Sequence, residues 1–134
     1  MKRGSKIIKY TNDESTTEEI KDIISTLELN YIVPERVRVI RSYGAKTRAL
    51  ARIWTVPKTI IKAYNIPPVY VIELVYPRFE QLDKNEKIKV LIHELLHIPS
   101  NFSGGLRPHG KKVNRKTVEK LYSEYVKRKS QTSI

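Results

Sequence analysis

The sequence predicts an α+β fold, and three observations carry that expectation. Apolar residues recur at i, i+3, i+4 and i+7 in three separate segments, as on amphipathic helices. Between them lie β-branched runs bounded by Pro and Gly, of which Val69–Val75 is the clearest strand. No internal repeat interrupts the order, and 134 residues suit one domain spanning 1–134 around one core. The expected architecture is an N-terminal helix, a small, mainly antiparallel or mixed sheet of about three strands, a helix bearing a His-Glu-x-x-His string beneath it, and a closing C-terminal helix.

Taken in order, residues 1–10 read as a basic arm, a candidate for disorder. Ser15-Thr16-Thr17-Glu18 and Thr16-Thr17-Glu18-Glu19 both offer capping boxes for a helix whose stripe is Ile20, Ile23, Ile24 and Leu27 and which ends near Asn30. After Pro34, Val37–Arg41 is rich in β-branched residues and predicts a strand, with Tyr43-Gly44-Ala45-Lys46 as the turn that follows. Ala49–Pro57 reads as a second strand, although its Ala and Leu leave a helical start open. Lys58–Asn65 is short and ambiguous. Pro67-Pro68 sets an extended lead-in to the strand Val69–Val75, and Pro77 ends it.

Asp83-Lys84-Asn85-Glu86 is a further capping box, and Ile88, Leu91, Ile92 and Leu95 follow at helical spacing. This predicts a helix over Asp83–Ile98, stopped by Pro99. A loop through Asn101-Phe102-Ser103-Gly104-Gly105 leads to a last helix from about Lys111 to Lys127, burying Val118, Leu121, Tyr122 and Tyr125. The residues after it, 128–134, read as a polar tail that is also a candidate for disorder.

Composition narrows the chemistry. The absence of Cys excludes disulfides, thiolate zinc fingers, iron–sulfur clusters and cysteine nucleophiles, so any metal must sit on N and O ligands. Met1-Lys2-Arg3-Gly4-Ser5 is basic, but no apolar stretch follows and no run approaches a membrane span, so the expectation is a cytoplasmic protein with no membrane partner. The net charge of +12 is uneven: residues 11–33 are acidic, while 35–62 and 110–134 hold most of the surplus Lys and Arg. That asymmetry makes DNA or RNA a candidate partner; Lys and Arg that merely solvate helix faces, as in a thermophilic protein, are the plainer reading.

All three histidines fall in Leu91-Ile92-His93-Glu94-Leu95-Leu96-His97 and Pro108-His109-Gly110. On a helix, His93 and His97 lie about 40° apart on one face and one turn apart along the axis, so both imidazoles can reach one metal ion. Glu94 can lean over an open coordination position and take a proton from metal-bound water. A catalytic zinc site needs a third protein ligand, and His109 is the first candidate because Gly104-Gly105 lets the chain fold back. One Zn2+ per chain is the expected cofactor, although three imidazoles also accept Ni, Co or Cu. An accidental match would more often fall outside a helix than on this strongly patterned one.

Leu91–Pro99, Phe102–Gly110, Ala51-Arg52-Ile53-Trp54 and Tyr70-Val71-Ile72-Glu73 together resemble the compact metallopeptidases found in phages and archaea, related in general plan to SprT-like zincins. The resemblance spans most of the chain. It implies a minimal zincin-like domain with zinc on His93, His97 and His109, Glu94 as general base, and a protein or peptide substrate. Two other zincin patterns fit less well. Metzincins need a Gly and a third His where this chain has Ser100 and Ser103. Gluzincins take a Glu from a later helix, which leaves Glu119, or less favourably Glu124, as an alternative third ligand.

Arg107, Tyr70 and Tyr122 are candidates for the group that stabilises the oxyanion, with plainer structural roles open to each. Glu73, a carboxylate in an apolar strand, is a candidate to orient a ligand imidazole if buried and is merely solvated if not. An exposed sheet edge could pair with an extended peptide. Against hydrolysis of peptide bonds stands a non-catalytic zinc protein that binds nucleic acid through its basic surfaces. Glu94 favours the enzyme, because a structural zinc site needs no carboxylate beside an open position and more often takes a fourth protein ligand.

Overall fold

In the computed structural model, which describes residues 7–132, the chain passes from an edge strand into its first helix without a loop. β1 (Lys9–Asn12) ends at Asp13, whose carboxylate accepts the Thr16 N–H at 3.0 Å and caps α1 (Glu14–Thr26). The cap therefore lies ahead of Ser15 and Thr16, the expected starts. Tertiary contacts decide this: the Asp13 N–H donates to the Val39 carbonyl at 3.0 Å and Arg41 Nε reaches its carboxylate at 2.8 Å. Thr17, buried, accepts the Val39 N–H at 3.0 Å and stitches the helix to β2 (Val37–Tyr43).

The sheet continues with β3 (Ala51–Thr55) and β4 (Tyr70–Tyr76) in the order β1-β2-β4-β3. β2 and β4 run parallel, and the outer pairings are antiparallel. It has four strands where about three were expected. The extra one is β1, read from sequence as part of a basic arm: all four of its residues are exposed, so no apolar alternation marked it. Residues 1–6 of that arm lie outside the described residues. α2 (Lys58–Tyr64) resolves the ambiguous segment between β3 and β4 as a short helix with no buried residue.

α3 (Lys84–Leu96) starts as expected, with Asp83 accepting the Glu86 N–H at 2.9 Å. α4 (Arg115–Thr132) starts later than the expected Lys111, because Asn114 Oδ1 takes the Thr117 N–H at 2.8 Å while its amide turns back to the Gly110 carbonyl. It also runs through most of the supposed tail. Lys129 meets Asp22 at 3.0 Å and Arg128 donates to the Thr26 carbonyl at 2.8 Å, so the polar end is tied to α1. Residues 133 and 134 lie outside the described residues.

Alternation assigns the sheet faces. Val37, Val39, Ile72 and Leu74 point one way and are buried with Ile20 and Ile23 of α1 and Leu91, Ile92 and Leu95 of α3. Full burial of each such side chain is worth roughly 1.5–3 kcal/mol. This layer fixes α3 against the sheet, with its C-terminal turn beside the free edge of β3. Among the described residues no helix is long and apolar enough to cross a membrane.

Candidate metal centre

His93 occupies the last turn of α3 and His97 is its C-terminal cap. Pro99 follows, and the chain reverses through Phe102, which holds a left-handed φ of 46° and sets its ring 5.1 Å from Tyr70. Gly104 (φ 96°) makes the reversal possible: a Cβ there would lie 3.1 Å from Ile61 of α2. Tyr70 donates its hydroxyl to the Gly105 carbonyl at 3.0 Å, so the core of the sheet holds the loop from below.

The returning strand of this loop runs against the end of α3. The Arg107 N–H donates to the His97 carbonyl at 2.6 Å, and the Arg107 guanidinium donates to the Ile98 carbonyl at 2.8 Å. His109 is thereby brought back over the helix. The three imidazoles converge, with one ligand nitrogen from each within 4.8 Å of the others. His93 Nε2 and His109 Nε2 are 3.0 Å apart.

The donor chemistry suits a divalent cation. His97 Nδ1 lies 2.6 Å from the Arg107 carbonyl, which can only accept; Nδ1 therefore carries the hydrogen and Nε2 keeps its lone pair. The facing nitrogens of His93 and His109 share at most one hydrogen between two lone pairs, and a cation can take its place. Burial, and then the nearby His97 and His109, hold the His93 imidazole below its ordinary pKa, which favours the neutral form a metal requires.

Glu94 lines the same cleft. It is 7% exposed, and none of the described residues donates a hydrogen bond to its carboxylate. Burial alone pushes its carboxyl up to about 8. The cleft measures about 670 Å³ and runs between the free edge at Ala49–Ile53, the last turns of α3, and α4. Leu50, Val90, Leu106 and Val118 give it apolar walls.

Other expected participants take different places. The Arg107 side chain is engaged by the Ile98 carbonyl and the Tyr31 hydroxyl, 3.4 Å away, and pairs with no carboxylate among the described residues. Its backbone, which no side-chain pattern could reveal, is what orients His97. Tyr70 is spent on Gly105, and Tyr122 donates to Asn85 at 2.7 Å. Glu73 is buried but touches no imidazole: Arg52 Nε at 3.0 Å and Trp54 Nε1 at 2.7 Å occupy it. Glu119 lines the cleft but pairs with Lys89 at 3.2 Å, and Glu124 pairs with Arg128 at 2.7 Å; neither joins the histidine cluster.

Residues 8–129 match the family described as "Putative phage metallopeptidase". Searches of curated proteins and of solved structures return no match.

Proposed function

The chain belongs to this phage metallopeptidase family, and from that premise we propose that it is a zinc-dependent endopeptidase with His93, His97 and His109 as ligands and Glu94 as general base. The observation that carries the reading is the buried, unpartnered Glu94 carboxyl opening into the same cleft as three convergent imidazoles. A buried carboxyl with a raised pKa that lines a cleft beside three imidazoles has the placement of a proton-transfer group.

His93, His97 and His109 would hold the zinc, which would supply the Lewis acidity that activates water and polarises the scissile carbonyl. Glu94 takes the proton from the attacking water and passes it to the leaving amine. The Arg107 carbonyl keeps His97 in one tautomer through the cycle. The free edge of β3 offers main-chain groups to an extended peptide, and the apolar walls exclude water from the bond being cleaved.

Elemental analysis and peptide hydrolysis test this together. About one zinc per chain is expected in the wild type, clearly less in His109→Ala, and wild-type zinc without hydrolysis in Glu94→Gln. Hydrolysis at the wild-type rate by Glu94→Gln would overturn the mechanism, and undiminished zinc in His109→Ala would overturn the ligand set.

A further inference from the structure

The sheet has a second face, turned away from α1 and α3, and the pairing registers define its rows. Arg38, Val71 and Trp54 stand side by side across β2, β4 and β3; Ile40, Glu73 and Arg52 form the adjacent row. At the Ser42–Val75 end this face is closed, since both residues are buried. At the Trp54 end it is open: Trp54 is 52% exposed, Arg38 is exposed, and Ile40 and Val71 are half-buried.

Trp54 is held rather than loose. Its indole N–H donates to Glu73 at 2.7 Å, and the Arg52 guanidinium, itself bonded to Glu73, lies 5.4 Å from the ring centroid. The buried carboxylate thus fixes a large aromatic side chain that still presents half its surface to solvent. Among the strand residues of this face Glu73 is the single acid, and Arg52 neutralises it. What remains is a flat π surface and apolar floor with Arg38, a cation without an ion-pair partner among the described residues, on a chain of net charge +12.

We propose that this open end of the sheet, with Trp54 as the stacking residue and Arg38 as the phosphate contact, binds single-stranded nucleic acid. An unpaired base offers a π face to Trp54, whereas a duplex keeps its bases stacked inside. Arg38 and Trp54 stand two strands apart, about 10 Å at the backbone, a gap the long arginine side chain can close toward the phosphate beside a stacked base. Charge alone would favour any polyanion; the pinned indole selects for single strands. Arg38, Val71 and Trp54 do not line the metal cleft, which this surface meets only at Arg52.

Trp54 is the only tryptophan, so intrinsic fluorescence reads this surface directly. The 134-residue chain is titrated with an end-labelled oligothymidylate, following both indole emission and label anisotropy, with a duplex of equal length in parallel. Expected are quenching by the single strand and little by the duplex, binding weakened about ten- to a hundredfold in Trp54→Ser and largely restored in Trp54→Phe, and a salt dependence in Arg38→Glu shallower by about one counterion. Unquenched binding, or equal affinity in Trp54→Ser and Arg38→Glu, would overturn the proposal and leave a general polycation effect. Arg38 is exposed, so its variant keeps the test open if Trp54→Ser fails to fold, and unchanged zinc content in both separates the result from the peptidase reading.

Discussion

Glu73 and Glu94 are both buried glutamates, one in the sheet and one at the end of α3, and they differ in the donors they meet. Glu73 meets Arg52 and Trp54, so although burial opposes ionisation, those donors hold its carboxyl below the usual range. Glu94 meets no donor among the described residues, and burial drives its carboxyl up to about 8. The first environment fixes structure around a settled charge. The second leaves a proton exchangeable near neutral pH, where a general base is useful.

The largest expected break in this comparison is functional. Glu94→Gln should lower peptide hydrolysis by about 10²–10⁴-fold, measured by single-turnover cleavage with zinc content unchanged, whereas Glu73→Gln should keep its activity per folded, zinc-loaded molecule. Loss of activity in both alike would erase the distinction.

Next comes the pH dependence of the metal-free protein. With a folded-state carboxyl near 8 against an ordinary 4.5, native Glu94 holds a proton that the unfolded chain has released, so its contribution is fully present below about 4.5 and lost as pH rises through 8. Wild type should therefore lose about 3 kcal/mol relative to Glu94→Gln between pH 5.5 and 8 by urea denaturation. A constant difference across this range would remove the raised carboxyl.

Glu73 runs the other way. Its depressed carboxyl contributes stability above its unfolded value, lost as pH falls through the folded one. Glu73→Gln at neutral pH should cost about 2 kcal/mol in urea, less than a fully buried pair because Arg52 is partly exposed to water. Smallest is Arg107→Ala, which removes the donors to Ile98 but keeps the carbonyl that orients His97; about 1 kcal/mol of stability should go, with a modest fall in zinc affinity read by competition with a chelator. No change in zinc affinity would mean that the loop holds His97 without its side-chain anchor.

Much of the site was legible because its signals are local. His93, Glu94 and His97 need only a helical period, and Asp83 caps that helix by a rule confined to three residues. Gly104 announced the reversal that returns His109. Features decided at long range were not legible. β1 is held by backbone pairing to β2, to which its exposed side chains contribute no pattern. The end of α4 depends on Asp22 and Thr26, roughly a hundred residues earlier. Glu73 left two roles open, and its partners proved to be Arg52 and Trp54 on the neighbouring strand rather than any imidazole.

The sequence by itself determined the α+β class, the apolar stripes of α1, α3 and α4, and the histidines of the candidate site with the carboxylate beside them, because side-chain period and donor chemistry are properties of short stretches of chain. The tertiary structure alone decided that β2 and β4 lie parallel, that the Arg107 carbonyl orients His97, and that Glu73 meets donors while Glu94 meets none among the described residues. Backbone groups look alike in any sequence, and whether a buried charge finds a donor depends on which distant strand or loop the fold lays against it.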